Sequence, residues 1–168
     1  MNIFVLDEDP EKAAQAMDCV RVPKMVTESA QMMASALRRH GAGDEQMPLT
    51  KSGTPYKGGY KHHPCTVWAG DSDTNFLWLA NHAIVLCQEY KKRFGKVHAC
   101  QNAIHQMSHM MPYVGEEMTP FAQAMPDEFK HEDAVQAYRA YYHSKIHSAG
   151  GVHYRHTSPP DWWMGVTA

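Results

Sequence analysis

Arg21, Lys24 and Glu28 stand three and four positions apart, so on a helix all three side chains share one face. A carboxylate beside two cations has its charged form favoured, and a lysine near a cation has its pKa pulled down. Those are the conditions for base or amine-nucleophile work. The same spacing would also serve an exposed lysine-glutamate pair worth roughly 0.3 kcal/mol. Gln31 and Ser35 extend the stripe without adding charge, whereas a solvated face of this length ordinarily carries more lysine and glutamate. The stripe is therefore expected to face a polar cavity.

A second constellation is Tyr56-Lys57-Gly58-Gly59-Tyr60-Lys61-His62-His63-Pro64. Aromatics interleaved with cations on a glycine-flexible backbone suit phosphate contacts combined with base stacking, and the same composition also keeps a loop soluble. Lys51 adds a cation, and Gly95-Lys96-Val97-His98 offers another phosphate contact. The candidate nucleic-acid or nucleotide-binding residues are thus Arg21, Lys24, Lys57, Lys61, His62, His63, Lys96 and His98. Arg139 joins them, flanked by Tyr138 and Tyr142 in what otherwise reads as a core-edge tyrosine stripe. Arg21, Lys24 and Glu28 are expected to line the principal cleft, with the 51–63 loop and Lys96-Val97-His98 as its rim. Twelve histidines would add positive charge below about pH 6.5, so affinity for a polyanion is expected to rise as pH falls.

Two His-x-x-x-His pairs, His105 with His109 and His143 with His147, would each place two imidazoles on one helical face, as zinc ligation requires. Neither contains the metalloprotease glutamate, and no spacing fixes a third ligand. Polar surface histidines account for them, so no metal or cofactor is assigned.

These groups need helices to position them. Asn2 to Leu6 reads as a short strand or extended lead-in, and Asp9-Pro10 opens a short helix through Met17. Apolar residues recur at helical spacing from 22 to 40, where Gly41 stops them. The stretch 44–60 has no periodicity and is a long loop. Pro64 starts a short helix, and a long one runs from Thr74 to about Arg93 after an Asp71 or Asp73 cap, with Gly95 ending it. Further helices are expected over 99–110 and 132–147, before an aromatic, proline-stiffened stretch ending in Trp162-Trp163. The fold class is mainly α: one compact helical domain over 1–168 with long loops and no internal repeat.

Composition agrees. With 168 residues, 43% apolar and 20% charged, the chain sits at the ordinary globular balance and is long enough for a core without disulfides. Cys19, Cys65, Cys87 and Cys100 lack Cys-x-x-Cys spacing, which suits free thiols in a reducing cytoplasm. No apolar run approaches a membrane span, and the first residues lack the features of a signal peptide. A net charge of −2 fits poorly with a protein that coats DNA nonspecifically, so any basic surface must be local.

Val20-Arg21-Val22-Pro23-Lys24 in an early helix, His63-Pro64 with Trp68 before a long helix, Cys87 to Gly95 at that helix's end, and the Trp162-Trp163 tail occur in an order that resembles the phage-type pyrimidine-dimer DNA glycosylases, the small helical endonuclease V-like enzymes, and related phage proteins. The resemblance implies a DNA ligand and an enzyme whose N-terminal amine attacks the sugar C1′ of a damaged nucleotide, with a glutamate on the early helix assisting. It implies work in the cytoplasm, the host's if the chain is phage-encoded. It places Arg21 where that glutamate is expected, with Glu28 two turns further along, and it makes the amine of Met1 the nucleophile. Met1 and Glu28 are the catalytic candidates on this reading, and Arg21 and Lys24 become phosphate contacts. Two other readings stand beside the glycosylase or lyase. One is a binding module that recognises nucleic acid or a nucleotide without turning it over, and the other is a metal-dependent hydrolase built on the histidine pairs.

Overall fold

Asp9 accepts a hydrogen bond from the Glu11 N–H while Pro10 takes the first helical position, which starts α1 (Pro10–Ala16). The computed structural model describes residues 1–165, and its regular elements are helical. Among the described residues the β pairing is one isolated bridge, Leu49 to Pro55. Asn2 to Leu6 takes the second of its two expected forms, an extended lead-in that pairs with no strand. Ile3, Phe4, Val5 and Leu6 are nevertheless all buried.

The long helices fall close to where their periodicity puts them. In α2 (Val22–Arg39), Val22, Met25, Val26, Met33 and Leu37 are buried, and Gly41 follows at φ +99°. Next come α3 (Pro64–Asp71) and α4 (Asp73–Phe94). The cap of α4 is Ser72, whose side chain accepts from the Asn75 N–H, and neither Asp71 nor Asp73 takes that role. Its end is the expected glycine, Gly95 at φ +72° donating to the Lys91 carbonyl.

The later helices are shorter than periodicity suggests. In α5 (Gln101–Met107), the Ser108 hydroxyl turns back onto the His105 carbonyl, closing the helix before His109. Asp133 caps α6 (Ala134–His143), which tightens into a 3-10 turn over Ser144–His147. His109 therefore lies outside the helix that carries His105, and His147 lies in a different helical geometry from His143. His143 is committed elsewhere: its Nδ1 pairs with the Arg139 carbonyl, its Nε2 accepts from the Met164 N–H, and its ring stacks on Trp163. Among the described residues no group of three or more His, Cys, Asp or Glu side chains is arranged to hold a metal ion.

The pair α2 and α4 forms the centre, with α1 against α4, and α3 and α5 against both. Tyr138 and Tyr142 of α6 are fully buried and bring their rings edge-on to Phe4. Arg93 donates to the carbonyls of Gln15 and Met17 at the end of α1 and pairs with buried Glu89 at 2.9 Å, satisfying acceptors that the helix end leaves open. All four cysteines are free, and no helix of the described residues is long and apolar enough to cross a membrane.

His82 of α4 gives the fold a defined acid sensitivity. It is buried, bonds the Pro10 carbonyl through Nδ1 at 3.0 Å and stacks on Trp78. Burial pushes its pKa down from 6.5 to about 4. The unfolded chain then takes up a proton below about pH 6.5 that the folded chain refuses until about pH 4, so the stabilisation present above that window is lost as pH falls through it. The loss attributable to His82 reaches roughly 2.5 kcal/mol at pH 4.5. Urea unfolding at pH 7 and 4.5 should show His82→Gln losing less stability between the two pH values than the parent chain by about that amount. Equal losses would remove His82 as the cause.

Candidate active site

The site begins at the first two residues. The Asn2 Oδ1 accepts from the N–H groups of Ile3 and Phe4, and its Nδ2 donates to the Ala124 carbonyl at 3.0 Å. This clamp fixes the lead-in, leaves Phe4 at φ +38° and holds the Met1 amine against α2. There the amine stands 3.6 Å from Glu28 Oε2, with the Met1 side chain 1% exposed and that of Glu28 26% exposed. The Oε2 atom is itself buried and has no hydrogen-bond partner among the described residues. Since buried polar atoms are normally paired, an acceptor is held beside a primary amine with its lone pairs unclaimed.

Met1, Arg21, Lys24 and Glu28 line one cleft of about 350 Å3. Their roles there differ. Lys24 is exposed at the edge. Arg21 is buried, and its Nη1 donates to Asp18 Oδ1 at 3.1 Å and to the Gly151 carbonyl at 2.9 Å. Asp18, fully buried, also accepts from the Tyr142 hydroxyl and from the N–H groups of Val20 and His153. The Arg21 charge is thereby neutralised inside the wall of the cleft. Chemically, the arrangement offers a primary amine able to attack an electrophilic carbon, and a carboxylate able to take its proton or steady a developing cation.

The 51–63 loop supplies no lining residue to this cleft, although its last residue, His63, feels the charge of the Met1 amine. It crosses α2 at Ser35, two turns beyond Glu28, because the Ser35 hydroxyl donates to the Gly59 carbonyl at 3.0 Å and accepts the Gly59 N–H at 2.9 Å. Gly58 touches the helix there: it sits at φ +83°, and a Cβ would come within 2.6 Å of the Ser35 nitrogen, so only glycine fits. Lys57, Lys61 and His62 instead line a separate, larger cleft of about 750 Å3 together with Arg38 and Arg39.

His63 and His98 serve the framework. The His63 Nδ1 caps α3 by accepting the Cys65 N–H. Burial, then the positive Met1 amine, lowers its pKa. The His98 Nδ1 accepts the Cys100 N–H, leaving Nε2 to donate to the Pro23 carbonyl at 3.1 Å, and burial lowers its pKa too. Both are held toward the neutral form, which works against the positive charge expected of the histidines near pH 6. Val97 and His98 do not line the 350 Å3 cleft, and Lys96 is exposed in the turn between α4 and α5. Arg139 faces another way, bonding the Leu6 carbonyl, pairing with Asp7 at 3.5 Å and lying over the Trp162 ring.

Tyr141 and Lys145, neither singled out from the sequence, complete the cleft. The Lys145 Nζ donates to the Tyr141 hydroxyl at 2.7 Å and lies 4.1 Å from its ring centroid. Tyr-x-x-x-Lys in a helical stretch was a visible signal for the pair, although nothing local pointed it at Met1.

Compared with known proteins, residues 1–102 match a family model described as pyrimidine dimer DNA glycosylase. No curated protein and no solved structure matches the chain.

Proposed function

The chain belongs to the pyrimidine dimer DNA glycosylase family, and from that membership we propose that it is a DNA glycosylase with lyase activity on a modified or damaged base, with the Met1 amine as nucleophile and Glu28 as its acid-base partner. The observation that carries this reading is the 3.6 Å approach of the Met1 amine to Glu28 Oε2 at the floor of a cleft.

A base inside a duplex is out of reach, so the target nucleotide must leave the stack and bring its C1′ to the amine. Glu28 takes a proton from the amine, which attacks C1′. The glycosidic bond breaks and the base leaves. The C1′–O4′ bond then opens, O4′ taking up a proton, and the resulting Schiff base permits loss of a C2′ proton with elimination of the 3′ phosphate. The carboxylate also opposes the positive charge that develops on the sugar. In the resemblance read from the sequence, Arg21 occupies the family's glutamate position. Here Arg21 braces the wall through Asp18, and the acid role falls to Glu28. DNA would continue over the second cleft, where Lys57, Lys61 and His62 supply phosphate contacts. Ser35, where the loop crosses, lies about 10 Å along α2 from Glu28, seven residues at the helical rise.

Sodium borohydride reduces a Schiff base to a stable amine, so incubation with a duplex carrying one abasic site should yield a covalent protein-DNA adduct. Peptide mapping should place it on residue 1. Binding of the duplex without an adduct would reject the lyase and leave the binding module. An adduct on a lysine would reject Met1 as the nucleophile.

A further inference from the structure

We propose that Lys145, held by Tyr141, is the acid that protonates the departing base. The proposal rests on the reading of Met1 as the nucleophile and extends it to the other side of the bond that breaks.

When the amine attacks C1′, the C1′–N glycosidic bond breaks and its electron pair goes to the base nitrogen. An uncharged base then leaves as an anion unless a donor meets it. The cleft contains few groups that can do so. The Met1 amine becomes the new bond to C1′, and Glu28 faces that amine at 3.6 Å. Arg21 is engaged by Asp18 and the Gly151 carbonyl, and a guanidinium does not give up its proton in a protein. Lys24 sits at the exposed edge, where bulk water competes for it.

Lys145 differs on each count. It stands on the 3-10 turn that continues α6 and lines the same cleft as Met1 and Glu28. One of its three N–H donors is fixed on the Tyr141 hydroxyl at 2.7 Å and the ammonium rests over that ring, which holds the head group in one place and leaves two donors for a ligand. The Tyr141 ring is itself stacked on Phe4, two residues from the Asn2 clamp that sets the amine. Nucleophile and acid are thus built on one aromatic contact. In the step, a proton passes from Lys145 Nζ to the base as the glycosidic bond breaks. The neutral amine that remains faces the Tyr141 hydroxyl and, being half-exposed, recovers its proton from water. Lys145 lies outside the 102 residues matched by the family model, so the family assignment says nothing of it.

The test compares substrates with and without a base to expel. Borohydride-trapped adduct is timed on an abasic duplex, on a UV-irradiated duplex, and on duplexes carrying uracil or a ring-alkylated, cationic purine that departs neutral. Lys145→Arg keeps a cation and a donor but cannot release a proton, and Lys145→Met removes both. Both variants should slow trapping on whichever uncharged base the parent accepts by at least about 100-fold, while trapping on the abasic duplex falls by less than about threefold and any activity on the cationic purine falls equally little. Equal losses on abasic and base-bearing duplexes, or full rescue by Lys145→Arg, overturn the proposal and make Lys145 a phosphate contact or a brace. A parent chain that traps abasic DNA yet acts on none of the base-bearing duplexes also overturns it, because an acid with no base to expel has no step to serve. Failure of the parent on abasic DNA sinks the amine-nucleophile reading itself, a separate outcome.

Discussion

Glu28→Gln is expected to cut borohydride-trapped adduct on an abasic duplex by about 100- to 1000-fold while leaving the fold in place. The amide has the shape of the carboxylate, so the helix face and its neighbours are undisturbed, but it can neither take the proton from the Met1 amine nor oppose the charge forming on the sugar. The ion pair contributes little to stability in its own right: at 3.6 Å, with the Glu28 side chain 26% exposed, it belongs with the pairs worth up to about 1 kcal/mol. Paired measurements of adduct rate and thermal midpoint separate the two effects. A variant that keeps more than about a tenth of the parent rate would remove Glu28 from the chemistry. One that loses activity only in proportion to unfolding would make it structural.

Blocking the amine should be more severe. Acetylation of Met1, or a single glycine placed ahead of it, is expected to bring adduct formation to background, a loss of at least about 1000-fold. An acetylated nitrogen is an amide with no lone pair for C1′. An added residue moves the free amine by about 3.8 Å, the spacing of neighbouring Cα atoms, and the lead-in cannot slide back to compensate. Asn2 is tied to Ala124 and to two backbone N–H groups, and Ile3 to Leu6 are packed in the core. DNA binding by gel shift should survive both changes, because Lys24, Lys57 and Lys61 are untouched. Full activity of the glycine-extended chain would show that a different group is the nucleophile.

The helical scaffold was legible wherever local chemistry sets it. Gly41 and Gly95 mark ends that a left-handed cap requires, Pro10 and Pro64 mark starts, and the spacing of Val22, Met25, Val26 and Met33 declares which side of α2 is buried. The same period put Arg21, Lys24 and Glu28 on one face, and one cleft receives all three. Asp18, three residues before Arg21, lies within reach of spacing, but what spacing could not say is that Arg21 also finds Gly151, whereas Glu28 finds the amine. The Gly151 contact spans 130 positions and the Glu28 contact joins the amine to a helix in mid-element, neither of which a helical period reaches. The loop around Gly58 was readable as basic and aromatic, but its landing place on Ser35 rests on two tertiary hydrogen bonds. The surroundings of several histidines were equally hidden. His63, His82 and His98 resemble surface groups by type, and each is instead fixed to the backbone and held toward its neutral form by burial. Ser72 outcompeted its aspartate neighbours as the α4 cap simply because its side chain is the one placed to reach the Asn75 N–H.

The hydrogen bond from Tyr142 to Asp18 joins residues 124 positions apart, and the clamp from Asn2 to Ala124 spans 122. On the ribosome, where synthesis runs at about 5–20 residues per second, the early helices emerge seconds before the residues that wall the cleft. Until α6 and the turn after it arrive, Asp18 and Arg21 lack their later partners and the amine lies open to any enzyme that trims or caps a nascent chain. Closing loops of this length is also among the slower events of folding. The proposed catalytic pocket is therefore a late product of biosynthesis, and a chain released early would carry the helices that identify its family while lacking the walls that close around the amine.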